Sequence, residues 1–302
     1  MAGHGDTTKA ILYAFLANLG LAIAKTGAAI YTGSGSMTAE AIHSFADCGN
    51  QILLFIGLKK AKKPADVKHP LGYGKVTYFW SFIVAIMLFS MGGLYSVYEG
   101  WHKLHEPGEL NQIWIALVVL GFGIVLESFS LYGALKVVKE IRKDKSFRDW
   151  FKNTRNAELV VILGEDTAAT IGLAVAFVFV SIAAVTGDPV YDALGSICIG
   201  VILIFISIFI GWRIQSLIVG RSAEAELREL IDSIIEKDDA IEKLLNTITM
   251  HLGPDVMLAA KIKMKASLSI EEAVNHINEL EVEIKRQVPV VKWCFIEPDI
   301  ND

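Results

Sequence analysis

The sequence predicts an all-α polytopic membrane domain of six helices, followed by a small α+β domain. Three observations carry that prediction. Of the 302 residues 53% are hydrophobic, and the long apolar runs lie within residues 1–221. Runs of about 20 apolar residues, the length that crosses a bilayer as a helix, recur six times there. Residues 222–302 instead hold 9 Lys+Arg against 17 Asp+Glu and read as a soluble domain.

The six runs fall near 10–32, 36–58, 77–100, 112–135, 157–184 and 190–213. The first and fifth links (GSGS and TGDP) are short and lack Lys and Arg. The links at 59–76 and 136–156 carry six and eight Lys/Arg, and short loops rich in these residues stay cytoplasmic. An even number of spans then places both termini in the cytoplasm. The first ten residues show neither a signal-peptide core nor an Arg-rich transit pattern, so no cleaved leader is expected. The expected location is a prokaryotic inner (plasma) membrane.

The spans are unlike one another. The third and sixth carry almost no ionisable residue inside, which leaves them free to pack against lipid or a second protomer. The first, second, fourth and fifth carry Asn18, Lys25, His43, Asp47, Asn50, Glu127, Glu165 and Asp166. An Asp near the centre of a membrane helix costs about 2.5–3.5 kcal/mol, so such a carboxylate needs a partner. His43 and Asp47 are four residues apart and share one helix face. At about 1.5 Å per residue, Asp47, Asp166 and Glu127 all lie about 12–16 Å from one end of their helices. A four-helix bundle around a polar centre is therefore expected, with a cation between the carboxylates. Lys25 sits near a span end, where it either reaches the surface or pairs with Glu165.

The tail alternates legibly. Residues 223–237 have helical spacing, 241–250 and 256–266 read as strands, 270–287 as an amphipathic helix and 290–297 as a last strand. The order αββαβ suggests a ferredoxin-like, metallochaperone-like domain. Its acidity argues against nucleic-acid partners. Cys48, Cys198 and Cys294 form no metal or disulfide motif and are read as packing residues. No nucleophile–base pair, P-loop or dinucleotide fingerprint appears, so an enzyme is not expected.

The second span, His43-Ser44-Phe45-Ala46-Asp47, and the following segment, Pro64-Ala65-Asp66-Val67-Lys68-His69-Pro70-Leu71-Gly72-Tyr73-Gly74, resemble the cation diffusion facilitator family of metal/proton antiporters. The resemblance extends over nearly the whole chain. It implies a homodimer in the lipid bilayer that exports a divalent cation from the cytosol against protons, with no prosthetic group. It further implies a metal site of His43, Asp47 and Asp166. Ile162 stands where the family has a further ligand, and Glu165 is adjacent, as in a zinc-transporter branch with a Glu-Asp pair. The fourth ligand is Glu165, a water or an oxygen from a neighbouring span.

One nitrogen and at least two oxygens suit tetrahedral zinc, whereas more oxygen shifts the preference to manganese or iron. Close carboxylates in a low-dielectric setting take up protons and cations in competition, so Zn2+ and H+ are the expected cargo. Glu127, with Asn18 and Asn50, is read as a proton relay or as support behind the ligands. Asp66 and His69 form a weak second metal site, because Tyr73 replaces the family's His. In the tail, Val274 and Phe295 stand at family metal positions, so the domain is expected to join protomers without metal. A different class of function is a non-transporting metal sensor or scaffold.

Overall fold

The computed structural model describes residues 4–106 and 112–301, with side chains from residue 15 onward except residue 17. Packing divides it into two units. One comprises residues 1–56, 80–147 and 158–214, and the other residues 57–79, 148–157 and 215–302.

The first unit is helical. α1 (His4–Thr32) and α2 (Gly35–Ala61) are 29 and 27 residues long. α3 (Val76–Met87) runs through a π-helical segment, Leu88–Leu94, into α4 (Tyr95–His105). α5 (Ile113–Arg142), the short α6 (Phe147–Asn153), α7 (Ala157–Thr186) and α8 (Val190–Val219) complete the helices up to residue 219. Among the described residues four stretches, Val76–His105, α5, α7 and α8, are long and apolar enough to cross a membrane.

The helices of the third and sixth expected spans lie against each other along one glycine-lined face and expose large apolar side chains such as Trp101 and Trp212 elsewhere. A Cβ added to Gly100 on α4 would fall 2.6 Å from the Ala193 carbonyl oxygen on α8, and one on Gly200 2.7 Å from that of Gly93. Glycine therefore sets the approach of these backbones, as in small-residue seams between membrane helices.

The start of α2 is held by α8. Asp192, buried, accepts from the Ser34 hydroxyl at 2.7 Å, the Gly35 N–H at 2.5 Å and the Ser36 N–H at 3.2 Å. A carboxylate at a helix N-terminus satisfies donors that have no partner within the helix. Lys103 on α4 donates to the Gly33 carbonyl beside it.

The second unit is built on a three-stranded sheet in the order β1 (Ile241–Leu252), β2 (Asp255–Met264), β3 (Val291–Pro298). β1 pairs antiparallel with β2, and β3 parallel with β2. The crossover is α10 (Ile270–Gln287), and α9 (Ala225–Glu236) precedes β1. The expected αββαβ order is present. α10 begins at a capping box, in which Ser269 and Glu272 each accept from the other's backbone N–H. Ile231, Ile235, Leu258, Ile262, Leu280 and Ile284 bury the helices on one sheet face. Cys294 lies in this core, where burial pushes its thiol up to about 12; with Cys48 also buried, packing accounts for both.

The lysine-rich segment after α2 joins this unit. Gly74 packs directly against the Leu252 carbonyl, where a Cβ would not fit. The Tyr78 hydroxyl donates to the Gly253 carbonyl at 3.2 Å and accepts from its N–H at 3.1 Å. Arg155 donates to the Ser222 carbonyl, and Arg221 to that of Lys152.

Candidate metal-cation site

A polar cavity of about 20 Å³ lies among the helices of the first unit, about the space one water-sized body needs. Its lining is Asn18 and Leu21 of α1, Ser44, Asp47 and Gln51 of α2, Glu127 of α5, and Glu165, Asp166 and Ala169 of α7. These are the four helices expected to surround the polar centre, and the carboxylates of three of them meet here.

Helical spacing explains the contribution of α2. Ser44, Asp47 and Gln51 are three and four residues apart and so stack along one face. His43, fully buried, belongs to the same stretch, with Nε2 3.6 Å from Asp47 Oδ2. The imidazole is not part of the cavity wall. Its Nδ1 would lie 3.5 Å from a Cβ on Gly92, in the π-helical segment. Neither ring nitrogen has a hydrogen-bond partner, and neither do Asp47 Oδ1, Asn50 Oδ1 or Gln51 Oε1, all buried. Orphaned polar atoms in such number on one helix are unusual in folded proteins, and most of these are acceptors that a proton or cation would satisfy.

The two α7 carboxylates diverge, as neighbours on a helix must. Glu165 is buried and accepts from Asn50 Nδ2 at 2.6 Å. Asp166 accepts from the Ser130 hydroxyl at 3.0 Å. Both nonetheless reach the cavity. Ile162, at the family ligand position, is 38% exposed on the outside of α7.

Among the described residues no three His, Cys, Asp or Glu side chains are gathered closely enough to hold one metal ion. The structure thus brings Asp47, Glu127, Glu165, Asp166 and Asn18 around one space, with His43 and Asn50 directly behind. Sequence reasoning missed Ser44, Gln51 and Ser130. Each was detectable by spacing, because Ser44 and Gln51 flank Asp47 on its face and Ser130 is one turn from Glu127.

Lys25 neither reaches the surface nor pairs with Glu165. It is fully buried and donates to Glu40 Oε2 at 3.0 Å and Ser44 Oγ at 2.7 Å.

Asp66 and His69 lie in the second unit. Asp66 Oδ1 accepts from the Lys68 and His69 N–H groups at 2.9 and 2.8 Å, and Oδ2 from the Tyr73 hydroxyl at 2.7 Å. The Tyr73 hydrogen bond, with those from the backbone, holds the Asp66 carboxyl below its usual range. His69 Nδ1 is 3.5 Å from Asp66 Oδ1. Tyr73 therefore replaces the missing family ligand by occupying one oxygen of the remaining carboxylate.

The profile of the Cation efflux transmembrane domain matches residues 11–218. The chain belongs to the cation efflux, or cation diffusion facilitator, family. Members of this family are transporters and not enzymes, and the chain is a multi-pass membrane protein. It is 32% identical to the human "Proton-coupled zinc antiporter SLC30A9, mitochondrial" over 81% of this chain and 43% of that protein. It is 30% identical to "Metal tolerance protein C4" of Arabidopsis thaliana over 72% of this chain and 48% of that protein. With the "Magnetosome protein MamB" of Magnetospira sp. (strain QH-2), identity is 25% over 93% and 92%. The chain spans less than half the length of the first two relatives. The expected location, a prokaryotic inner (plasma) membrane with both termini cytoplasmic, does not stand. The SLC30A9 relatives of human, orangutan, mouse and frog, 30–32% identical, are mitochondrial proteins. A count of lysines in loops orients a chain within a bilayer but carries nothing about which bilayer.

Proposed function

We propose that this chain is a secondary active transporter that moves a divalent metal cation, Zn2+ first, across a membrane in exchange for protons. The observation that carries the reading is the cavity walled by carboxylates of α2, α5 and α7. The name of the SLC30A9 relatives, zinc antiporters coupled to protons, supports it. Six spans are proposed: α1, α2, α3 with α4, α5, α7 and α8. Asp47, Asp166 and His43 coordinate the ion, Glu165, a water or an oxygen from a neighbouring span completes the set, and Glu127, with Asn18 and Asn50, relays protons or supports the ligands from behind. His43 enters by side-chain rearrangement, since Asp47 is already within 3.6 Å of it. Protons and cation compete for the same oxygens, which couples their flows. Asp66 and His69 provide at most a weak second contact. The resemblance also supports a homodimer joined through a ferredoxin-like tail of residues 222–302.

Mn2+ or Fe2+ as cargo is the second reading. Every polar group in the cavity wall is an amide, a hydroxyl or a carboxylate, and oxygen-rich sites favour harder ions than zinc.

Proteoliposomes containing only this chain test both readings. A pH gradient should drive Zn2+ flux, Asp47→Ala should abolish it, and excess Mn2+ or Fe2+ should leave it standing if zinc is the cargo. Flux that ignores the pH gradient or survives Asp47→Ala would overturn the transport reading.

A further inference from the structure

Lys25 and Glu40 form a fully buried ion pair that the site described above does not use. Lys25, Glu40 and Ser44 are all buried, the first two completely. The contact ties α1 to α2, and α5 and α7 close around it. A Cβ on Gly172 of α7 would fall 2.6 Å from Glu40 Oε1, and one on Gly123 of α5 would fall 3.6 Å from Lys25 Cε. The four helices that wall the cavity therefore converge at this level, two of them through glycines that leave room for the pair. Along α2 the cavity extends from Gln51 through Asp47 to Ser44. Ser44 is its last lining residue on α2 in that direction, and the Ser44 hydroxyl accepts from Lys25 Nζ at 2.7 Å. Glu40 lies seven residues, about two turns, beyond Asp47 toward the start of α2.

We infer that Lys25, Glu40 and Ser44 form the gate that closes the ion path on the side of the α1–α2 link. This rests on the transport reading above. An ion leaving toward that link must pass the pair, so the Lys25–Glu40 contact breaks in the conformer open to that side. Lys25 Nζ, held by Glu40 at 3.0 Å and Ser44 at 2.7 Å, stands at the end of the cavity. A divalent cation among the carboxylates repels it and weakens its hold on Ser44, so loading the site favours opening. Glu40 Oε1, buried without a hydrogen-bond partner, is an acceptor available to an ion passing the opened gate.

The test uses the full chain in proteoliposomes, with Asp47→Ala as the control for transport itself. Removing one charge of a buried pair leaves the other uncompensated, whereas replacing both is often tolerated. The informative variant is thus the double Lys25→Met/Glu40→Gln. Zinc leak at zero pH gradient should rise about tenfold, with zinc binding to the purified protein unchanged. The swapped pair, Lys25→Glu/Glu40→Lys, should close the leak again. If the double variant folds, binds zinc and shows no added leak, the gate is refuted while the transport reading stands. If the double variant fails to fold, the swapped pair decides: wild-type coupling supports the gate, and a leak despite normal folding refutes it. Survival of flux in Asp47→Ala would instead remove the transport reading on which the gate depends.

Discussion

Replacing Asn50 with Leu probes whether Glu165 is aimed at the ion by its neighbour. Asn50 is completely buried, Glu165 is 7% exposed, and they meet at 2.6 Å. Leucine keeps the side-chain volume but removes the N–H that Glu165 accepts. A hydrogen bond to a charged group contributes about 1.5–3 kcal/mol. At about 1.4 kcal/mol per factor of ten, a Glu165 released from its aim should bind the cation roughly 10–100-fold more weakly. That range matches the usual effect of removing the group behind a metal ligand. Calorimetric titration of the purified full chain with Zn2+ measures the affinity, and proteoliposome flux gives KM and maximal rate separately. KM should rise with the weaker binding. A folded Asn50→Leu protein with zinc affinity and KM within about twofold of the parent would refute the reasoning, since that is under 0.5 kcal/mol. Glu165 would then be a structural carboxylate.

Two further outcomes follow from the fold. Asp192→Ala leaves the Gly35 and Ser36 N–H groups and the Ser34 hydroxyl without their acceptor. It should lower stability by about 2–3 kcal/mol, read as an earlier thermal-melting midpoint, with Asp192→Asn recovering part of the loss. His251 is held below its usual 6.5 by burial, so the folded second unit takes up its proton less readily than the unfolded chain. The resulting stabilisation is complete above pH 6.5 and is lost as pH falls through that value toward the lowered one. Amide-exchange protection factors across β1 and β2, corrected for the intrinsic rate at each pH, should therefore fall between pH 7 and 5, and His251→Gln should flatten the change.

Periodicity made the second unit readable almost to the residue. The helix expected at 270–287 is α10 itself, because Ser269 and Glu272 announce its start and Leu280 and Ile284 mark its inner face. The strands moved by no more than two residues. In the first unit, counting along helices placed Asp47, Glu127 and Asp166 at one level, and they do share a cavity. Contacts between distant segments were not legible. Lys25 and Glu40 are 15 residues apart, and Ser34 and Asp192 are 158 apart. Such pairs depend on how two helices are rotated against each other, which neither helix's own spacing records. The close approach of the third and sixth spans was not legible for the same reason: hydropathy sees that they are oily, but the approach comes from the absence of side chains at Gly93, Gly100 and Gly200.

The π-helical segment at Leu88–Leu94 gives the third span one residue more than a regular helix would use there. That surplus behaves like a dislocation in a crystal. Each rung it is handed along the chain turns one more residue by about 100°, while the stretches on either side keep their faces. Gly92, beside the His43 ring, lies within that segment. The wall against the imidazole can thus be re-cut by sliding a defect, without lifting the helix from its seam with α8.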